Sequence, residues 1–297
     1  MTAVSAEPQK VDLQEPAGWR RTKNRIATVL MVVAFVLVVI PLVFVLITVV
    51  ARGIKIISWQ FLTADIPPTV APADVGGIGP AIVGTIQIVG LATVMAVPLG
   101  ILGAIYLNEY GGRGVLGRLI GFMADVMTGV PSIVMGLFIF SIWVLKFQFS
   151  GFAGALALGC LMLPVVIRST DEMLKLVPNP LREGSYALGA TKARVTVTVV
   201  LPAAIGGIVS GALLAIARAA GETAPLLFTI LTVTSPNPNP FSGPNTSIPS
   251  QIFSNATSSF TGAQARAWGA SLTLVVIAFA FMLAARFVTA RFTRYSR

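Results

Sequence analysis

The chain has 297 residues, 55% of them hydrophobic and 11% charged, with a mean hydropathy of +0.86, against about 25% charged in a soluble domain, which argues against a water-soluble globule. Histidine is absent and Cys160 is the lone cysteine, which removes Ser-His-Asp and Cys-His catalysis, histidine-ligated metals and an internal disulfide. None of the six lysines sits in a G-x-x-x-x-G-K-[ST] loop, so the chain does not cradle ATP, and the net charge of +10 has to be explained by where it falls.

A helix that crosses a hydrocarbon core of about 30 Å needs about 20 mostly apolar residues. In chain order, a charged tail (residues 1–25) precedes the charge-free run Ile26–Val50. That run is too long for a secretion signal and no A-x-A site follows, so it reads as a retained first membrane helix, kinked at Pro41. An outer loop, residues 51–77, holds Trp59, Asp65, Pro67-Pro68 and Gly76-Gly77. The second span runs from about Pro80 to Leu107, with Gly84, Gly90, Gly100 and Gly103 suited to close helix packing. The third, about Leu119 to Leu145, carries Asp125 and Pro131; the fourth, about Phe152 to Ile167, contains Pro164. The fifth starts near Val195 and continues past Ala220, with Pro225 late in it, and the sixth is about Trp268 to Ala290.

Residues 235–266 form a second long outer loop, rich in Pro, Asn and Ser, a composition that does not build a core. Its stretch Pro236–Pro244 reads as a solvated connector, and the N-x-[ST] matches at Asn245 and Asn255 are of a kind that arises by chance. The expected class is an all-α polytopic membrane protein of six spans: a five-helix core over residues 78–291 follows the first helix, and residues 292–297 end the chain.

Lysines and arginines near span ends are retained on the cytoplasmic side. Sixteen lie in the N-terminal tail, the 108–118 loop, the 168–198 loop and the C-terminal end, against four (Arg52, Lys55, Lys146, Arg266) in the alternate loops. This asymmetry places both termini in the cytoplasm and assigns the basic charge to orientation in a lipid bilayer, with no nucleic acid involved.

The inner loop between the fourth and fifth spans reads R-E-G-S-Y-A-L-G-A-T-K-A-R-V-T-V-T-V-V-L-P from Arg182 to Pro202. A short helix over about Leu181 to Leu188, a sharp turn at Gly189 and the pair Leu201-Pro202 at the entry to the next span make a rigid knob. The stretch resembles the EAA loop of ABC-importer permeases, with Glu183, Gly189, Leu201 and Pro202 on its fixed positions; Gly184 and Ser185 replace its alanines and Val199 its isoleucine. The resemblance implies a type I ABC-importer permease fold in which this knob docks on a separate ATP-hydrolysing subunit. The plain alternative is an amphipathic helix lying on the membrane surface.

A narrower resemblance, to the PstA family of phosphate-transport permeases, is carried by G-V-P-S-I-V-M-G-L-F (Gly129 to Phe138), L-P-V-V-I-R-S-T-D-E-M-L (Leu163 to Leu174) and A-R-A-A-G-E-T-A-P-L-L-F (Ala217 to Phe228). S-W-Q-F-L-T (Ser58 to Thr63) and G-G-I-G-P-A-I-V-G-T (Gly76 to Thr85) add to it. It implies a bacterial inner-membrane permease subunit of an ATP-driven phosphate importer. The implied partners are a sister permease, two copies of an ATPase subunit that bind ATP and Mg, and an external phosphate-binding protein. It implies no catalysis and no cofactor in this chain.

Arg218 and Glu222 are four apart in the fifth span, so on a helix they share a face and can pair. Either charge at the bilayer centre costs on the order of 2.5–3.5 kcal/mol, so both should face protein or water. The pair fits two roles. In one, Arg218 draws the phosphate anion and Glu222 moderates its hold; in the other, the two charges only lock the fifth helix to its neighbours. At helical rise from Val195, Arg218 falls about 35 Å along, in the outer half. Arg168, at the inner end of the fourth span, is either a cation near the exit or a headgroup contact, and Asp125 has Arg118 and Arg168 as candidate partners. Thr223, Ser132 and Thr128 are hydroxyls that can donate to an anion or to their own i−4 carbonyls. Alternatives on charge logic alone are another oxyanion (sulfate or molybdate) and an ion-coupled secondary transporter, which needs no ATPase-docking knob.

Overall fold

The computed structural model describes residues 18–67, 74–111 and 114–293. Lys10, Pro68, Arg113, Arg294 and Arg297 lie outside them. The chain divides into two units, residues 1–48 and 49–297. The described part of the first unit is the bulk of α1 (Gly18–Gly53), whose apolar side chains are exposed around its circumference. A helix apolar on every face is a membrane span, and Pro41 sits inside it without ending it.

The second unit begins at the last turn of α1, followed by α2 (Trp59–Thr63), where Ser58 Oγ accepts from Phe61 N at 3.1 Å. Helix α3 (Gly79–Ile105) has Pro80 in its first turn, where a missing N–H costs nothing, and ends in a π-helical turn, Tyr106–Gly111.

The third span departs from its expected form. Instead of one helix over Leu119–Leu145 there are α4 (Val115–Gly129) and a second run made of α5 (Ser132–Ile139), a π turn (Phe140–Val144) and α6 (Leu145–Phe147). The two runs meet at 107°. Pro131 drives the preceding residue out of the helical region, and Val130 accordingly has φ −72° and ψ 126°. Among the described residues, five helices are long and apolar enough to cross a membrane, or six if the bent pair is one span.

Helix α7 (Gly151–Lys175) is capped by Ser150, whose Oγ accepts from Ala153 N at 3.1 Å. It outlasts the apolar stretch that set the expected end at Ile167, because Arg168 to Lys175 carry the helix on as a polar turn. The loop that follows contains α8 (Asn179–Ala187). A single helical run, Lys192–Ala220, then comprises α9 (Lys192–Val195), a π turn (Thr196–Val200) and α10 (Leu201–Ala220). Pro202 lacks an N–H and crowds the carbonyl four residues back; the wider π turn just before it accommodates both defects. Leu201-Pro202 therefore lie well inside the run and not at its entry. The short α11 (Leu226–Thr229), α12 (Ile248–Ala256) and the long α13 (Thr261–Thr293) complete the described elements.

The core of this unit is made by small residues. Ile88, Ala92 and Ala96 of α3 pack with Ala155, Leu158 and Met162 of α7. At Gly100 a Cβ would lie 2.7 Å from Val166 Cγ1, so a side chain there would separate the helices. A second cluster, including Ala104, Leu174, Val177 and Val200, fills the end of the bundle that bears α8, and a third, including Phe61, Ile78 and Ile248, fills the opposite end.

The second long loop is more than a loop. Pro236–Pro244 is largely exposed, as a connector would be, but Asn245–Gln251 is buried throughout. Polar side chains hold it there: Asn245 Nδ2 donates to Gln87 Oε1 at 2.9 Å, Ile248 N to Thr85 Oγ1 at 2.9 Å, and Gln251 Nε2 to Thr246 Oγ1 at 3.0 Å. Arg266 Nε donates to Val75 O at 2.6 Å and Nη1 to Asn255 Oδ1 at 3.4 Å. Composition concealed this because hydrogen bonds to α3 and within α12 order the segment, with Ile248 as its apolar anchor. Both sequon asparagines are thereby buried and engaged.

Candidate functional site

Helix α10 stops at Ala220, half-way through the bundle. Gly221 caps it, Pro225 cannot extend it, and the chain restarts as α11. Glu222 and Thr223, expected on a continuous helix with Arg218, lie beyond its end, while Arg218 is in its last turn. The pocket that Arg218 and Glu222 share is walled by Leu161, Met162 and Val165 of the central turns of α7. Arg218 thus lies beside the middle of α7, in the last turn of a run that is cut short at Ala220.

Arg218 Nε lies 3.8 Å from Glu222 Oε1, and the two side chains are 71% and 20% exposed. Among the described residues the guanidinium has no closer polar partner, so it projects from the chain with most of its donors open. The free carbonyls of a helix C-terminus favour a cation there, and irregular backbone at membrane depth is tolerated only against protein or water. The break is held in place by close packing: a Cβ on Gly136 of α5 would be 2.6 Å from Pro225 Cα. The segments Gly129–Phe138 and Ala217–Phe228, distant in sequence, therefore meet at this point.

Arg168 is engaged elsewhere. It forms an ion pair with Asp125 of α4 and donates from Nη2 to Gly121 O at 3.0 Å. The structure brings Asp125 to Arg168, one of its two candidate partners, and neither to Arg218. Thr128 Oγ1 donates to Asp125 O at 2.6 Å.

The loop between α7 and α9 carries the other group of candidate residues. Glu183, Gly184 and Ser185 sit in α8, with Glu183 and Gly184 exposed and Ser185 Oγ donating to Leu181 O at 2.8 Å. Gly189 has φ +80°, the left-handed turn the sequence requires, and Leu188 beside it is 90% exposed. Leu201 and Pro202 are apart from this knob, in the first turn of α10, where Leu201 packs against the cluster of Val195, Val200 and Leu174.

Sequence reasoning missed Arg182, Glu109, Asn108 and Asp171. Arg182 Nη2 donates to Glu109 Oε1 at 3.1 Å and to Leu174 O at 2.8 Å, with the two charged side chains 14% and 5% exposed. Asp171 accepts from Lys175 Nζ at 2.6 Å and from Asn108 Nδ2 at 3.3 Å. The available signal was an acid, Glu109, at the end of an apolar span, and an arginine next to the Glu183 anchor.

A family model described as binding-protein-dependent transport system inner membrane component matches residues 96–294. The chain belongs to this family. Among similar proteins, one from Mycobacterium tuberculosis (strain CDC 1551 / Oshkosh), named phosphate transport system permease protein PstA 1, is 46% identical over 92% of this chain and 91% of its own length. One from Yersinia pestis, named phosphate transport system permease protein PstA, is 42% identical over 92% of each chain. Among solved structures, a chain of a bacterial alginate ABC transporter, in complex with a pentasaccharide-bound periplasmic protein, has a TM-score of 0.61 at 14% identity over 94% of this chain and 99% of its own. A chain of the MetNI methionine ABC transporter in an inward-facing conformation has a TM-score of 0.57 at 18% identity over 73% and 94%. At these identities the structural likeness speaks for the fold, that of type I ABC-importer permeases. The matched region takes in the end of α3, the bent α4/α5 pair, α8 and the break at Ala220.

Proposed function

We propose that this chain is the transmembrane permease subunit of an ATP-driven importer of inorganic phosphate. The observation that carries the reading is the open Arg218 guanidinium at the mid-bundle helix break, in a chain alike over 92% of its length to proteins named phosphate permeases. A planar, permanently charged fork suits a tetrahedral oxyanion. With 71% of its side chain exposed, Arg218 needs a cover of protein or water. A sister permease facing it supplies that cover and the other half of the conduit. Glu222 moderates the cation so that the anion is drawn in and then released. Thr223, just past the break, and Arg168, nearer the α8 end, are the further groups along the path.

The exposed α8 knob, with Glu183, Gly184, Ser185 and Gly189, contacts an ATPase subunit that binds ATP and Mg and does the hydrolysis; Leu201 and Pro202, in the first turn of α10, carry its movement into that helix. An external phosphate-binding protein delivers the anion, and both termini are cytoplasmic in the bacterial inner membrane. The test is co-purification with the sister permease and ATPase, then radiolabelled phosphate uptake into vesicles holding the assembled complex. Uptake blocked by vanadate and not outcompeted by sulfate or molybdate is expected. Uptake that collapses with a protonophore while resisting vanadate would refute the reading.

A further inference from the structure

The polar cluster behind α8 is remote from the Arg218 site; Glu109 and Asp171 in it are buried, and it joins four elements. Arg182 donates from Nη2 to Glu109 Oε1 at 3.1 Å and to Leu174 O at 2.8 Å, and from Nη1 to Val177 O. One guanidinium thus fixes its own helix α8 to the C-terminal turn of α7 and to the π turn that ends α3. On the far side of Gly189, Lys192 Nζ lies 5.1 Å from the ring centroid of Tyr110, on the same π turn. The loop is therefore fastened to Tyr106–Gly111 on both sides of its flexible glycine. Asp171 closes the arrangement by accepting from Lys175 of its own helix α7 and from Asn108 of the π turn.

A push on a loop helix tethered only by its chain ends would be absorbed by loop deformation. Here a fork whose donors point in fixed directions ties the loop helix to the ends of α3 and α7. A lysine at position 182 would keep the charge but lose the fork to the two carbonyls.

We propose that Glu109 and Arg182 are positioning residues that convert displacement of α8 into movement of α3 and α7, so that ATP hydrolysis in the partner is coupled to anion passage. This rests on the reading of α8 as the ATPase contact. The test uses the complete complex in proteoliposomes and counts inorganic phosphate imported per ATP hydrolysed. Glu109→Gln keeps the side-chain shape and leaves Arg182 its two carbonyl acceptors. Expected is retained assembly and ATP hydrolysis with at least an about fivefold fall in phosphate per ATP. Arg182→Lys should lose less than Arg182→Gln, and Glu109→Gln with Arg182→Gln should lose no more than Arg182→Gln alone, as for two residues acting as one unit. An unchanged ratio in Glu109→Gln would overturn the proposal, as would uptake and hydrolysis falling together through loss of assembled complex. Cross-linking of Leu188→Cys to the ATPase in an otherwise unaltered chain separates the two readings. No cross-link counts against the ATPase contact itself; a cross-link with an unchanged ratio counts against the Glu109–Arg182 proposal alone.

Discussion

Replacing Glu222 by glutamine removes the charge opposite Arg218 while keeping the side chain's size. At the observed 3.8 Å the attraction is about 1 kcal/mol at the dielectric constant of water and about 4 kcal/mol at an effective value of 20. Arg218 is 71% exposed, so the screened figure applies. Without the competing carboxylate the guanidinium holds a phosphate anion about 1 kcal/mol more tightly, which slows its departure about fivefold. The maximal rate of radiolabelled phosphate uptake, normalised to permease in the membrane, should fall by the same factor. Arg218→Ala should abolish uptake with normal insertion, and Arg218→Lys should retain part of it, having the charge without the fork. Wild-type rates in both Glu222→Gln and Arg218→Ala would refute the reasoning and leave the two charges as a lock between helices.

Gly189 has φ +80° with no atom within 4 Å of an added Cβ, so only backbone strain, about 1–2 kcal/mol, opposes substitution. Gly189→Val should lose the ATPase on co-purification while Gly189→Asn, tolerant of that conformation, keeps it. A Cβ on Gly84 would lie 2.0 Å from Thr246 O, so Gly84→Ala should displace the buried 245–251 segment at a cost of about 1–3 kcal/mol, read as a lowered Tm of the detergent-solubilised complex. Asp125 and Arg168 are 66% and 34% exposed, so Asp125→Asn should change stability by less than about 1 kcal/mol, read as a Tm within a few degrees of wild type. A large loss in Tm would give that pair a structural weight its exposure does not support.

The loop helix and its glycine turn were legible because their signals are local: α8 runs from Asn179 to Ala187 where Leu181 to Leu188 was expected, and Gly189 adopts the conformation only glycine takes without strain. The membrane spans were legible where apolar runs end at charges, as α1 and α3 do. Apolar composition conceals a break, however. The third span, expected as one helix with Pro131 inside it, is a 107° bend, and Gly221 with Pro225 ends α10 where hydropathy continues. Arg218 and Glu222 were legible because they stand four apart, but the helix end that falls between them was not. Arg182 and Glu109 are 73 residues apart, and the buried 245–251 segment is held by side chains of α3 and α12. Pairings of that kind are properties of the packed bundle and leave no pattern along the chain.

On the proposed reading this chain is half of an anion conduit driven by a partner's ATP hydrolysis. The most direct measurement is uphill phosphate accumulation in proteoliposomes, comparing the isolated chain with the complex of sister permease, ATPase and binding protein. Accumulation only in the complete complex, and only with hydrolysable ATP, is predicted. Accumulation by the isolated chain, driven by a proton gradient, would contradict the account.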